Sequence, residues 1–146
     1  MKRIIIILVF LSFSQQLQSQ DWESTWTQAQ KKSALEKKPI LLIFSGSDWC
    51  APCIKLERDI WTSDAFKAFA KEQLILYKAD FPRKKTNQLT AALATQNKSL
   101  AATFNAQGYF PLVVLTNHTS EILGETGYKN IKAQDYITLL KSMYEE

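Results

Sequence analysis

The chain contains the stretch Ser45-Gly46-Ser47-Asp48-Trp49-Cys50-Ala51-Pro52-Cys53, directly after the apolar run Ile40-Leu41-Leu42-Ile43-Phe44. Cys50 and Cys53 are its only two cysteines. An apolar run without polar alternation is typical of a central strand covered on both faces. Pro52 is compatible with the first turn of a helix, where backbone N–H groups lack intrahelical partners. The stretch therefore predicts two cysteines at the point where a buried strand gives way to a helix.

The spacing of the cysteines predicts reversible disulfide chemistry. Residues three apart on a helix share one face, so Cys50 and Cys53 can close a disulfide. Cys50 falls at the predicted helix start, where N–H groups and the helix dipole stabilise a thiolate. We therefore expect Cys50 to attack a substrate disulfide and Cys53 to resolve the mixed disulfide. This indicates a thiol–disulfide oxidoreductase, for which no dissociable cofactor is expected.

Other uses of the cysteine pair have less support. A zinc site needs four ligands, and the chain adds only His118, which lies in a distant predicted turn. Haem attachment requires His directly after Cys53, where Ile54 stands, and a peroxidase uses different surroundings for its attacking cysteine. A non-catalytic binding module with a structural Cys50–Cys53 disulfide remains the alternative, although so small a ring stabilises weakly.

The N-terminus has the layout of a secretory signal. Lys2 and Arg3 precede an apolar run over residues 4–13, and a polar stretch follows up to Gln20. The run is too short to span a bilayer comfortably. We predict a signal peptide over residues 1–20, a domain over residues 21–146, export from the cytoplasm and no membrane span after cleavage; an uncleaved anchor is the alternative. Outside the reducing cytosol, a close cysteine pair can rest oxidised or cycle.

Composition indicates one globular domain without a nucleic-acid partner. The chain has 146 residues, 46% hydrophobic and 22% charged, with a formal net charge of +4. This is sufficient for one core of ordinary size. The clusters Lys31-Lys32, Lys37-Lys38 and Arg83-Lys84-Lys85 are short and scattered, which is typical of solvated surfaces.

Hydrophobic periodicity predicts alternating helices and strands. In chain order, we expect a helix over 22–38, a strand over 40–44, a helix from 51 to about 58, a helix after Ser63, a strand over 74–80, one long or two short helices over about 89–104, a strand over 112–115, a hairpin partner at 121–124 and a terminal helix from 131. Strands separated by helices pair in parallel, whereas a hairpin is antiparallel. The pattern therefore predicts an α/β fold with a mixed sheet of about four strands and helices on both faces.

These residues resemble the thioredoxin superfamily, in particular exported bacterial thioredoxin-like proteins. The resemblance rests on the apolar strand, on Trp49-Cys50-Ala51-Pro52-Cys53 at a helix start, and on Pro111 before a hairpin and terminal helix. It implies a thioredoxin fold in which Pro111 is cis and lies against the cysteines, beside backbone free to pair with an extended substrate. It also implies partners of two kinds: proteins with disulfides or thiols, and a protein that recycles the pair.

The resemblance assigns supporting roles around the cysteines. Trp49 is expected to shield the pair, although plain core packing explains it equally well. Ala51 and Pro52 differ by one methyl group from the reducing Gly-Pro insert, which favours reductase or isomerase use. Phe110 is bulkier than the aliphatic residue that often precedes this proline, and is expected to affect redox poise and substrate fit.

The chain also departs from thioredoxins in its acidic groups. Phe44 occupies the position of their buried Asp, so the usual proton acceptor for Cys53 is missing. Glu57, one helical turn after Cys53, is a candidate replacement, with a solvated or paired surface acid as the alternative. Asp48 is expected to disfavour the Cys50 thiolate, since a nearby negative charge opposes a second one.

Overall fold

The computed structural model describes residues 20–145, and the predicted order of helices and strands is confirmed. The elements are α1 (Trp26–Glu36), β1 (Ile40–Ser45), α2 (Ala51–Leu56, continued by a π-helical turn, Glu57–Trp61), α3 (Asp64–Gln73), β2 (Ile75–Asp80), a short 3₁₀ turn (Lys85–Asn87), α4 (Ala91–Phe104), β3 (Leu112–Thr116), β4 (Ile122–Thr126) and α5 (Ala133–Lys141). Ser63 caps α3 as predicted, because its side chain accepts a hydrogen bond from the Phe66 N–H.

Strand β1 lies inside a four-stranded sheet of order β2-β1-β3-β4. It pairs in parallel with β2 and antiparallel with β3, and β3 and β4 form the predicted antiparallel hairpin. All six residues of β1 are buried, as expected for a strand with neighbours on both sides and helices on both faces. The cysteine stretch therefore leaves the sheet from an interior strand.

Side chains of β1 alternate between two apolar clusters. Leu41 and Ile43 belong to the cluster that contains residues of α2, α3 and α5. Ile40, Leu42 and Phe44 belong to the cluster that contains residues of α1 and α4. Because successive side chains of a strand point to opposite faces, this alternation confirms the prediction of helices on both faces of the sheet.

The first helix is shorter than predicted. Helix α1 begins at Trp26, because Thr25 caps it, and it ends at Glu36, because the left-handed conformation of Lys37 (φ 55°) stops the helix before Pro39. Trp22 lies outside the helix and forms an isolated parallel bridge with Leu76 of β2. The apolar spacing that includes Trp22 therefore reflects strand pairing and not a helix face.

Two further boundaries differ. The helix that carries the cysteines continues past residue 58 as a π-helical turn that ends at Trp61. The apolar positions after the β2–α4 connector form one helix, α4, from Ala91, because Thr90 caps it. The short turn before α4 holds polar residues only.

The predicted signal segment, residues 1–20, lies outside the described part of the chain except for Gln20. Among residues 20–145, no helix has both the length and the apolar character needed to cross a membrane.

Candidate active site

Cys50 and Cys53 form a disulfide at the start of α2, with their Cα atoms 5.2 Å apart. Each cysteine is only 4% exposed. Cys50 is the N-cap residue of α2, and its Sγ accepts a hydrogen bond from the Cys53 backbone N–H at 3.3 Å. A donor aimed at the Cys50 sulfur stabilises a negative charge there. The two cysteines are therefore unequal: the helix start favours a thiolate on Cys50.

A tight turn connects β1 to the cysteines. The N–H groups of Trp49 and Cys50 both donate to the Gly46 carbonyl, at 3.2 and 2.9 Å. A Cβ at Gly46 would overlap the indole ring of Trp49. Glycine at this position therefore lets the Trp49 side chain lie directly against the turn.

Trp49 joins the cysteine helix to two other segments. Its Nε1 donates to the Phe81 carbonyl at 2.7 Å, and its ring packs edge-to-face against Phe110, with centroids 5.4 Å apart. Phe81 packs in turn against Phe110 at 5.5 Å. The indole is thus held on one side by the connector after β2 and on another by the loop before β3.

Asp48 holds the β2–α4 connector. Its carboxylate accepts hydrogen bonds from the backbone N–H groups of Arg83 (2.9 Å) and Lys84 (3.0 Å) and from Asn87 Nδ2 (3.0 Å). These bonds, led by the one from Arg83, hold the pKa of Asp48 below its usual range. From the sequence, Asp48 is expected to act as a charge on Cys50; in the structure this carboxylate fixes a neighbouring loop.

The loop before β3 forms the other wall of the site. The Phe110–Pro111 peptide bond is cis, and Pro111 is buried. The preceding Tyr109 is bound at both backbone polar groups by the side chain of Asn105. A groove of about 410 Å³ lies here, lined by Pro52, Tyr109, Phe110, Pro111, Leu112, Thr126, Gly127 and Tyr128.

Among the predicted supporting residues, the groove brings together Pro52, Phe110 and Pro111. Trp49 packs against Phe110, while Ala51 is exposed. Tyr109, which also lines the groove, is 62% exposed. The predicted residues of the Trp-Cys-Ala-Pro-Cys motif and of the proline loop therefore meet at one end of the sheet.

The acidic groups near Cys53 follow the predicted departure from thioredoxins. Phe44 is fully buried within an apolar cluster, so no carboxylate lies at its position in the strand. Glu57 follows Cys53 by one turn, and its backbone N–H donates to the Cys53 carbonyl. The Glu57 carboxylate pairs with Lys78 Nζ of β2 at 2.5 Å, and these side chains are 41% and 26% exposed. Glu57 is therefore a partly exposed, paired acid on the helix that carries the cysteines.

Three residues of the site were missed by sequence reasoning. Asn105 bonds the backbone of Tyr109 four residues later, and Phe81 contacts Trp49 and Phe110 through its carbonyl and its ring. Such contacts leave no periodic signal in the sequence. Arg83 was noted only as part of a basic cluster, yet its guanidinium lies 3.8 Å from the centroid of the Trp49 ring. The motif Phe81-Pro82-Arg83 could be recognised as a connector, but not as part of the site.

Comparison with known proteins identifies the family. The family model described as Thioredoxin-like matches residues 21–117. The chain is 35% identical to the Disulfide bond reductase DsbH of Chlamydia pneumoniae over 121 residues, which are 83% of this chain and 70% of that protein. It is 25% identical over 101 residues to the Thioredoxin-related protein DsbJ of the same organism, over 69% of this chain and 28% of that protein.

Solved structures agree with this assignment. A structure described as DsbH Oxidoreductase has a TM-score of 0.80 and 32% identity, covering 86% of this chain and 85% of its own. The disulphide isomerase from Xylella fastidiosa Temecula1 shares the fold, with a TM-score of 0.59, 18% identity and coverage of 88% and 99%. The chain thus has the thioredoxin fold with a paired-cysteine site of the oxidoreductase type. It belongs to the thioredoxin-like family, and its disulfide and its relatives together support thiol–disulfide oxidoreductase activity.

Proposed function

We propose that this protein is an exported reductase of disulfides in other proteins. The observation that carries the proposal is the Cys50–Cys53 disulfide at a helix start, next to the groove beside Pro111. The reducing direction is supported by the 35% identical relative named as a reductase. Export is supported by the signal-like layout of residues 1–20.

The reaction begins with the reduced protein. The Cys50 thiolate attacks one sulfur of a substrate disulfide, so that a mixed disulfide forms and the other substrate sulfur leaves as a thiolate that takes up a proton. The Cys53 thiolate then attacks Cys50 Sγ, which releases the second substrate thiol and leaves the Cys50–Cys53 disulfide. Each cycle moves two electrons to the substrate, and a dithiol protein must reduce the pair again.

The groove positions the substrate. Its lining is mainly apolar and aromatic, and it includes Pro111 and Pro52, the residue directly before Cys53. An extended segment with an apolar side chain beside its cysteine fits such a surface, and backbone next to Pro111 is available to pair with it. Both cysteines are nearly buried, and in this proposal the substrate sulfur reaches them along this surface.

Cys53 must lose its proton before it can resolve the mixed disulfide. Phe44 offers no acceptor, and Glu57 is one turn away on the same helix. In this proposal Glu57, which is paired with Lys78, accepts the Cys53 proton directly or through one water molecule.

Insulin reduction and a trapping variant test the function. The reduced wild type should reduce insulin with a dithiol as electron source, Cys50→Ser should abolish turnover, and Cys53→Ser should accumulate mixed disulfides on Cys50. When it is expressed with residues 1–20, the Cys53→Ser variant should form mixed disulfides between Cys50 and exported proteins. If Cys50 alkylates only at the rate of an ordinary thiol and insulin is not reduced, the protein is instead a binding module with a structural disulfide.

A further inference from the structure

The basic cluster of the β2–α4 connector lies next to the redox site. Asp48 and Trp49 immediately precede Cys50, and they contact Arg83 through its backbone N–H and its guanidinium, respectively. The same indole ring packs against Phe110 of the groove. One side chain, Trp49, therefore connects the cationic connector to the surface along which a substrate reaches the cysteines.

Several hydrogen bonds fix the shape of this connector. Besides the three bonds to Asp48, the Asn87 N–H donates to the Lys84 carbonyl at 3.0 Å, and Gln88 Nε2 donates to the same carbonyl at 3.3 Å. These bonds involve backbone atoms of Arg83 and Lys84, so the side chains of these two residues are not needed to hold the loop together. The connector thus has a fixed backbone from which its cations extend, and this lowers the entropic cost of binding a partner there.

The cations of the connector are available to a partner. Arg83, Lys84 and Lys85 are all exposed, and within residues 20–145 none of them makes an ion pair with a carboxylate. Two carboxylates lie nearby, and both already accept hydrogen bonds. Asp48 binds the donors described above, and Asp80 accepts from the N–H and Oγ of Ser47, at 2.9 and 2.6 Å.

We propose that Arg83, Lys84 and Lys85 form a docking surface for an acidic segment of the protein whose disulfide is exchanged at Cys50. The inference rests on the proposed function, and it specifies in addition that the substrate is acidic near its reacting cysteine. Acidic residues near the substrate cysteine would meet the three cations while the cysteine itself lies at the groove. Charge complementarity of this kind acts mainly on the rate of encounter and on partner choice.

A protein segment fits these observations better than a lipid surface or a nucleic acid. The cluster has three cations only, whereas surfaces that bind membranes or nucleic acids by charge generally carry more. It is also joined through Trp49 to a groove suited to a peptide. The occupant is therefore a polypeptide with Asp or Glu side chains close to its cysteine.

Two synthetic peptides test the docking surface. Each contains the same intramolecular disulfide and the same apolar residues, and they differ only in flanks of Glu or of Lys. At about 20 mM salt the wild type should reduce the Glu peptide with a kcat/KM about 10-fold higher than the Lys peptide, and the ratio should shrink at about 0.5 M salt because of screening. The Lys84→Glu/Lys85→Glu variant should reverse the preference, because two of the three cations become anions. The variant keeps the backbone donors to Asp48, so the connector should retain its shape.

A matched variant separates local from global charge. Lys31→Glu/Lys71→Glu makes the same change in net charge at exposed positions of α1 and α3. Lys71 lies at the other end of the sheet, since its carbonyl accepts from Lys38 next to the start of β1. This control should retain the wild-type preference, and unfolding midpoints of both variants should stay near that of the wild type.

The outcomes distinguish the two proposals. Equal rates for the two peptides with wild type, or an equal loss of preference in both double variants, would overturn the docking surface and leave the reductase proposal standing. Reduction of neither peptide, or of insulin, would reject the function and the docking surface with it. Binding to phosphatidylglycerol vesicles that requires Lys84 and Lys85, together with equal peptide rates, would assign the cations to lipid and overturn the proposal.

Discussion

The side-chain amide of Asn105 hydrogen-bonds both backbone polar groups of Tyr109. Asn105 Nδ2 donates to the Tyr109 carbonyl, and the Tyr109 N–H donates to Asn105 Oδ1, each at 2.8 Å. Asn105 is 5% exposed and lies just beyond the end of α4. One buried amide therefore sets the start of the loop that leads through Phe110 to Pro111.

Asn105→Ala should destabilise the protein by about 2 kcal/mol, since two partly buried hydrogen bonds of about 1 kcal/mol each are lost. The kcat/KM for a peptide disulfide should fall more than the rate of Cys50 alkylation, because the groove is disturbed and the helix start is not. Urea unfolding and the two rates measure this. Gln73→Ala, at an exposed position of α3, is the control, and similar losses in both variants would contradict the assigned role.

Gly46→Ala should displace the Trp49 indole, because the added Cβ would overlap it. A cost of about 1–3 kcal/mol is expected from such overpacking, together with a change in tryptophan fluorescence. A double-mutant cycle with Trp49→Phe is the check, since the smaller ring leaves room for the methyl group. If Gly46→Ala costs the same in the presence and absence of the indole, the clash is not the cause.

Asp48→Ala should lower the thermal midpoint at neutral pH, because three donors of the connector lose their acceptor. The pKa of Asp48 is lower in the folded protein than its ordinary value of 3.8, so its stabilising contribution is present above pH 3.8 and is lost as pH falls through the folded pKa. The difference in midpoint between variant and wild type should therefore be constant near neutrality and should shrink below pH 3.8. Asp135→Ala, an exposed acid of α5, is the comparison; a difference that grows on acidification would refute the assignment.

Glu57→Gln should slow the resolution of the mixed disulfide by roughly 10-fold or more, as expected when a general base is removed. Alkylation of Cys50 should change little, since the donor at Cys50 Sγ comes from the Cys53 backbone. Single-turnover reaction of the reduced protein with a peptide disulfide, followed across pH, measures the step. Glu72→Gln on α3 is the control, and an unchanged pH profile in Glu57→Gln would remove Glu57 from the mechanism.

The fold was predictable because its signals are local in the sequence. The unbroken apolar run of β1, the cap at Ser63 and the proline next to the cysteines each report on a segment's own structure. The errors arose where a tertiary contact replaced a local one. Trp22 fits a helical spacing, yet it forms a β-bridge with Leu76 of the edge strand β2. No pattern within residues 22–38 indicates that partner.

The site was predictable only as far as its motif. Cys50, Cys53 and Pro111 stand at recognisable positions, whereas the side chains that hold their surroundings act over long sequence separations. Asp48 illustrates the difference, because a carboxylate two residues before a cysteine suggests a charge effect. Its three donors lie in residues 83–87, and that pairing follows from the way β1 and β2 end side by side.

The bridge between Trp22 and Leu76 has a consequence for self-association. Strand β2 is an edge strand of the sheet, and an uncovered edge presents unpaired backbone N–H and C=O groups to other chains. The segment around Trp22 occupies part of this edge, with the Glu23 N–H bonded to the Leu76 carbonyl at 2.9 Å. The residues that precede α1 therefore cover part of this edge, which lowers the tendency of the sheet to pair edge-to-edge with a second molecule.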